Sequence, residues 1–150
     1  MPRVDRDIRT TAPPEKVVAA LLDFSETRPQ TWPGISAEHY EVLRQGDTWA
    51  DVREGTKGPG VDVWAVEHYD WSDPGVVQWT VTESNFSAPG SYVRAKVVTD
   101  GSGGSIIHLT WNREGLNFKG KAMVRLIKLL RGGPVVSSMQ KGLRRLEQNA

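Results

Sequence analysis

Residues Val4 to Thr10 alternate, with Val4, Arg6, Ile8 and Thr10 set against Asp5, Asp7 and Arg9, which predicts a short strand with a thin apolar face. Pro13 and Pro14 then stand where missing amide donors do no harm. Glu15 follows in the first turn, and Val17, Val18, Leu21 and Leu22 come at helical spacing, so a helix begins here. The stretch from Phe24 to Ile35 contains Pro29 and the stop Trp32-Pro33-Gly34, which limits it to a helical elbow. Beyond it the period shortens to two, and strands are predicted over about 38–45, 48–54, 61–69, 76–83, 91–98 and 105–113. Gly46-Asp47, Asp73-Pro74-Gly75 and Gly101 to Gly104 supply the turn chemistry between them, and links this short make neighbouring strands antiparallel. Lys121 to Gln148 reads as a helix kinked or broken at Gly132-Gly133-Pro134.

Parity divides the later strands into two faces. One carries Trp64, Val66 and His68, then Val77, Trp79, Val81 and Glu83, then Val93, Ala95 and Val97, then Ile107, Leu109, Trp111 and Arg113. The other carries Glu67, Gln78, Thr80, Thr82, Arg94, Lys96, His108, Thr110 and Asn112, so the first set is expected to face inward. The strands at 38–45 and 48–54 mix apolar and charged residues on both parities, and their facing stays open. The C-terminal helix offers a partner stripe of Met123, Leu126, Ile127 and Leu130, continued beyond the break by Val136, Met139, Leu143 and Leu146.

Composition narrows the class. A chain of 150 residues, 38% hydrophobic and 25% charged, fits one globular α+β domain over 1–150 rather than a disordered or membrane-embedded one. The longest apolar run, Val17 to Leu22, is far short of the roughly 20 residues that cross a bilayer, so no transmembrane segment is expected. No secretion signal is read at the N-terminus, and cysteine is absent, which together fit a reducing cytoplasm. A net charge of +1 gives no bulk argument for nucleic acid.

The order strand, helix, elbow, antiparallel strands, long C-terminal helix resembles the START-related, birch-pollen-allergen-like superfamily of helix-grip (SRPBCC) proteins, and within it the polyketide cyclase/dehydrase branch. Ala12-Pro13-Pro14-Glu15-Lys16-Val17, Leu21-Leu22-Asp23-Phe24 and Trp32 look like that branch's opening. Glu54 to Gly60 followed by Val61-Asp62-Val63-Trp64, and Asp73-Pro74 before Trp79, are similar to its middle strands. The resemblance implies a cavity between sheet and C-terminal helix for lipids, sterols, polyketides or other apolar molecules. Some members are cyclases and others only bind or carry, and without a shared catalytic motif no catalytic residue is carried over.

On this reading the ligand wall is Trp64, Val66, Trp79, Val81, Val97, Leu109 and Trp111, closed by Met123, Ile127, Leu130 and Met139. His68, Glu83 and Arg113 are the inward polar groups, candidates for proton transfer or ligand orientation, with a hydrogen-bonded core histidine and a structural Glu83–Arg113 ion pair as the alternatives. Glu54 to Gly60 is either a flap carrying Lys57 toward an anionic group or a turn with flexible glycines. Gly115 to Ala122 nearly spells the phosphate loop G-x-x-x-x-G-K-[ST]. Ala122, however, lacks the Mg²⁺-binding hydroxyl and no parallel βαβ unit surrounds it, so it is read as a strand-to-helix turn. No cofactor and no metal site are expected, His39, His68 and His108 lying on separate strands. Lys121, Arg125, Lys128, Lys141, Arg144 and Arg145 make either a solvated helix back or a weak contact for a membrane surface or protein partner. The leading function is a binder or carrier of a small hydrophobe. A polyketide cyclase or aromatase is the rival, and a partner-binding regulator the third class.

Overall fold

The computed structural model describes residues 3–148. Seven strands, β1 (Arg3–Thr10), β2 (Glu41–Gln45), β3 (Trp49–Gly58), β4 (Val61–Asp70), β5 (Val76–Ser84), β6 (Tyr92–Thr99) and β7 (Ser105–Asn112), form one antiparallel sheet in the order β1-β7-β6-β5-β4-β3-β2. Helices α1 (Pro14–Leu21) and α2 (Arg28–Thr31) and a 3-10 turn (Ala37–His39) lie between β1 and β2, and α3 (Phe118–Leu129) and α4 (Gly133–Gln148) close the chain. This is the expected α+β architecture. The first strand pairs with the last, Ile8 opposite Ile107, which sets β1 at one edge of the sheet beside β7.

Local chemistry explains the elements. Pro14 occupies the first turn of α1, and Val17 and Leu21, one turn apart, are its buried residues. Asn117 caps α3 by accepting from the Gly120 amide at 2.8 Å, which makes the phosphate-loop lookalike a strand-to-helix turn. α3 ends with Arg131 N–H donating to Lys128 O and Gly132 N–H to Ile127 O, a Schellman arrangement with Arg131 and Gly132 at φ of 53° and 74°. At Gly132 an added Cβ would stand 2.7 Å from Val4 Cγ1, so glycine also lets the break sit against β1. The core lies at the β1-β7-β6-β5 side, where Ile8, Ile107, Ala95 and Val77 meet Val17 and Leu21 of α1 and Val136 and Leu143 of α4. Gly142 brings α4 onto Trp32, where a Cβ would come within 2.2 Å of the indole.

Four expectations are corrected. On β4 the buried parity is Val63, Ala65, Glu67 and Tyr69, so Trp64, Val66 and His68 face away from the helices. Both parities of this strand carry bulky apolar residues. The rule that polar residues point outward chose the wrong one, because Glu67 is satisfied inside. On β5, Val77, Trp79 and Val81 do point inward. A bulge then intervenes: Glu67 pairs with Val81 but Val66 with Glu83, which skips Thr82 and turns Glu83 to the exposed side. On α3, Leu126 and Leu130 are more than half exposed, and the buried residues are Gly120 and Val124. Glu54 to Gly58 continues β3 in regular pairing with β4 down to Gly58 opposite Val61, so the segment read as a flap or turn is the end of a hairpin.

Candidate functional site

Between the sheet and the helices lies a cavity of about 370 Å³. Its apolar walls come from Trp79, Val93, Leu109 and Trp111 of β5 to β7, from Val63 and Ala65 of β4, and from Leu21, Trp32 and Ile35 of the N-terminal helical region. Ile127 of α3 and Pro134, Val135, Ser138 and Met139 of α4 cover them.

One wall is ionic. Arg28 Nε donates to Glu54 Oε2 at 2.6 Å, with the two side chains 3% and 7% exposed. Arg28 also donates to Tyr69 Oη at 3.1 Å and to the carbonyls of Leu21, the last residue of α1, and Asp23 just beyond it, while Tyr69 Oη donates to Glu54 Oε1. Phe24 covers this group, with its ring 4.6 Å from the Arg28 guanidinium and 5.0 Å edge-on from Tyr69, which in turn stacks on Trp79 at 5.3 Å. Beyond it Arg113 Nη2 donates to Glu67 Oε2 at 3.0 Å. Arg113 Nη1 is buried and without a hydrogen-bond partner among the described residues.

Burial pushes the Glu67 carboxyl up from its ordinary 4.5 to about 7, against the pull of Arg113 and with the help of the neighbouring Glu54 charge. Burial likewise holds the Tyr69 phenol well above 10, and it keeps its proton as a donor. The wall therefore offers a carboxyl that exchanges a proton near neutrality, a guanidinium with a free donor, and a phenol-carboxylate-guanidinium group locked by packing.

Of the residues named from sequence, Trp79, Leu109, Trp111, Arg113, Ile127 and Met139 line the cavity. Val81 and Val97 are buried in the core without lining it, and Met123 is half-buried away from it. Trp64, Val66, His68, Glu83 and Leu130 do not reach it, for the reasons of parity, bulge and helix rotation given above. On the outer face His68 pairs through Nδ1 with Asp51 Oδ1 at 2.6 Å and stacks on Trp49. The other two histidines pair with separate aspartates, His39 with Asp62 and His108 with Asp7. Arg113 meets Glu67 rather than Glu83.

Sequence reasoning missed Arg28, Glu54, Glu67 and Tyr69. The available signal was the second apolar parity of β4, Val63, Ala65 and Tyr69 with Glu67 among them. Arg28, in an aperiodic elbow, carried none.

A sheet laid against a broken C-terminal helix with a cavity between them is the helix-grip architecture of START-related and birch-pollen-allergen-like proteins. Within that class the chain belongs to the family described as polyketide cyclase / dehydrase and lipid transport, which matches residues 1–150. Among solved structures, a protein from Thermus thermophilus is 19% identical with a TM-score of 0.79 over 99% of both chains. A START superfamily protein from Mycobacterium smegmatis is 16% identical, also at 0.79 and over 99% of both. The Zhui aromatase/cyclase of a Streptomyces species is 16% identical with a TM-score of 0.71, over 97% of this chain and 93% of that one. At these identities the likeness is one of fold. No curated protein matches the sequence at a significant level.

Proposed function

We propose that the chain is a single ligand-binding domain that binds and carries a small hydrophobic molecule bearing one polar, oxygen-rich end. The observation behind this reading is the buried Nη1 donor of Arg113, without a hydrogen-bond partner among the described residues, in the ionic wall of a cavity of about 370 Å³ whose other walls are mainly apolar. A buried donor left unmade costs roughly 1–3 kcal/mol, and a ligand carbonyl, enolate or carboxylate oxygen would recover it. Trp79 and Trp111 form flat walls for the apolar body, and Ile127 and Met139 close over it. A cytoplasmic location is part of this reading.

The test is native mass spectrometry of protein from its own host, followed by denaturing extraction. One co-purifying apolar species with an oxygenated end, bound about tenfold or more weakly after Arg113→Met, is the expected result. An empty protein that takes up no such molecule would sink the carrier reading.

One observation favours a second reading, a cyclase-type enzyme in the same cavity: Glu67, titrating near 7, is suited to take a proton from carbon next to a carbonyl whose oxygen Arg113 holds. Glu67→Gln then abolishes turnover while leaving binding, whereas a carrier shows only a change in affinity.

A further inference from the structure

Helix α3 is apolar on two sides. Gly120 and Val124 are buried, and at Gly120 an added Cβ would stand 2.0 Å from the Phe86 carbonyl oxygen, so the helix start is pressed against the loop between β5 and β6. Away from that contact, Phe118 is 91% exposed, Leu129 73%, Leu126 56% and Leu130 53%, with Leu116 alongside at 46%. Phe118, Leu126 and Leu130 follow one another at intervals of one or two turns, and Leu129 falls beside Phe118 and Leu126 on the same side. No packing among the described residues accounts for such a stripe. Its border is basic: Lys119, Lys121, Arg125, Lys128 and Arg131 accompany it, and from Gly115 to Leu146 the sequence has no acidic residue. A protein partner would need only the apolar stripe. A lipid surface explains both features, because apolar side chains enter the acyl boundary while long basic side chains reach headgroup phosphates. The same helix carries Ile127 in the cavity wall.

We propose that α3 is a docking helix for an anionic membrane surface, which places the helical wall of the cavity against the lipid. Its use in ligand exchange rests on the carrier reading above, whereas the docking itself does not.

Flotation of the full chain with vesicles of phosphatidylcholine alone, and of phosphatidylcholine with phosphatidylglycerol, tests it. Binding to the anionic vesicles only, weakened by salt, is expected. Lys121→Gln and Lys128→Gln should each lower partitioning roughly fivefold. Phe118→Ser/Leu129→Ser should lower it about tenfold or more with an unchanged melting temperature, since both side chains are exposed. Failure to bind, equal binding to neutral vesicles, or a Phe118→Ser/Leu129→Ser variant that binds like the parent would overturn the proposal. So would a concentration-dependent dimer that this variant dissociates, for then a second copy covers the stripe. Uptake of a fluorescent fatty acid in solution is measured separately. Vesicle binding without uptake supports docking and counts against the carrier, and uptake without vesicle binding does the reverse.

Discussion

Glu67→Gln isolates the charge that the cavity wall tolerates least. Glu67 is 4% exposed and is held at about 7 by burial, partly offset by Arg113 and reinforced by Glu54. A carboxyl whose folded pKa lies above its unfolded value of 4.5 contributes stability that is fully present below pH 4.5 and is lost as pH rises through 7. The rise from 4.5 to about 7 corresponds to about 3 kcal/mol. Glutamine resembles the protonated carboxyl and keeps a side-chain oxygen for Arg113 Nη2. The variant should therefore match the parent near pH 4.5 and exceed it by about 3 kcal/mol near pH 8. Urea unfolding of both proteins at several pH values reads the difference, and the groups they share cancel. Parallel stability curves across pH 4.5–8, or a variant that loses stability relative to the parent as pH rises, would refute the argument that burial outweighs Arg113 at this carboxylate.

Two further outcomes follow from the same geometry. Arg28→Met strands the buried Glu54 carboxylate and frees the carbonyls of Leu21 and Asp23, so unfolding free energy should fall by about 3–5 kcal/mol; Arg28→Met/Glu54→Leu should recover much of it, and an additive double variant would speak against the pair. Gly142→Ala should destabilise by about 1–3 kcal/mol in thermal or urea unfolding, because the new Cβ meets the Trp32 ring at 2.2 Å and this outweighs the roughly 1 kcal/mol that alanine gains inside a helix; a stabilised variant would show that α4 is free to move off Trp32.

The sequence by itself determined the element order, the antiparallel sheet and the break before α4, because proline, glycine and hydrophobic period act within a few residues of chain. It also determined the inward face of β5 to β7, where one parity is mainly apolar and the other mainly polar, and with it Trp79, Leu109, Trp111 and Arg113. Tertiary structure decided the rest. Glu67 is buried because Arg113, 46 positions away, satisfies it, and β4 then turns Trp64, Val66 and His68 outward. Glu83 leaves the inner face because β4 and β5 pair with an extra residue, which depends on two strands and is written in neither. Arg28, Glu54 and Tyr69 come together across three elements, and only that assembly offsets the cost of burying their charges. Leu126 and Leu130 share a stripe with Ile127 on paper, yet the contact at Gly120 fixes the rotation of α3 so that Ile127 lines the cavity and the two leucines face out.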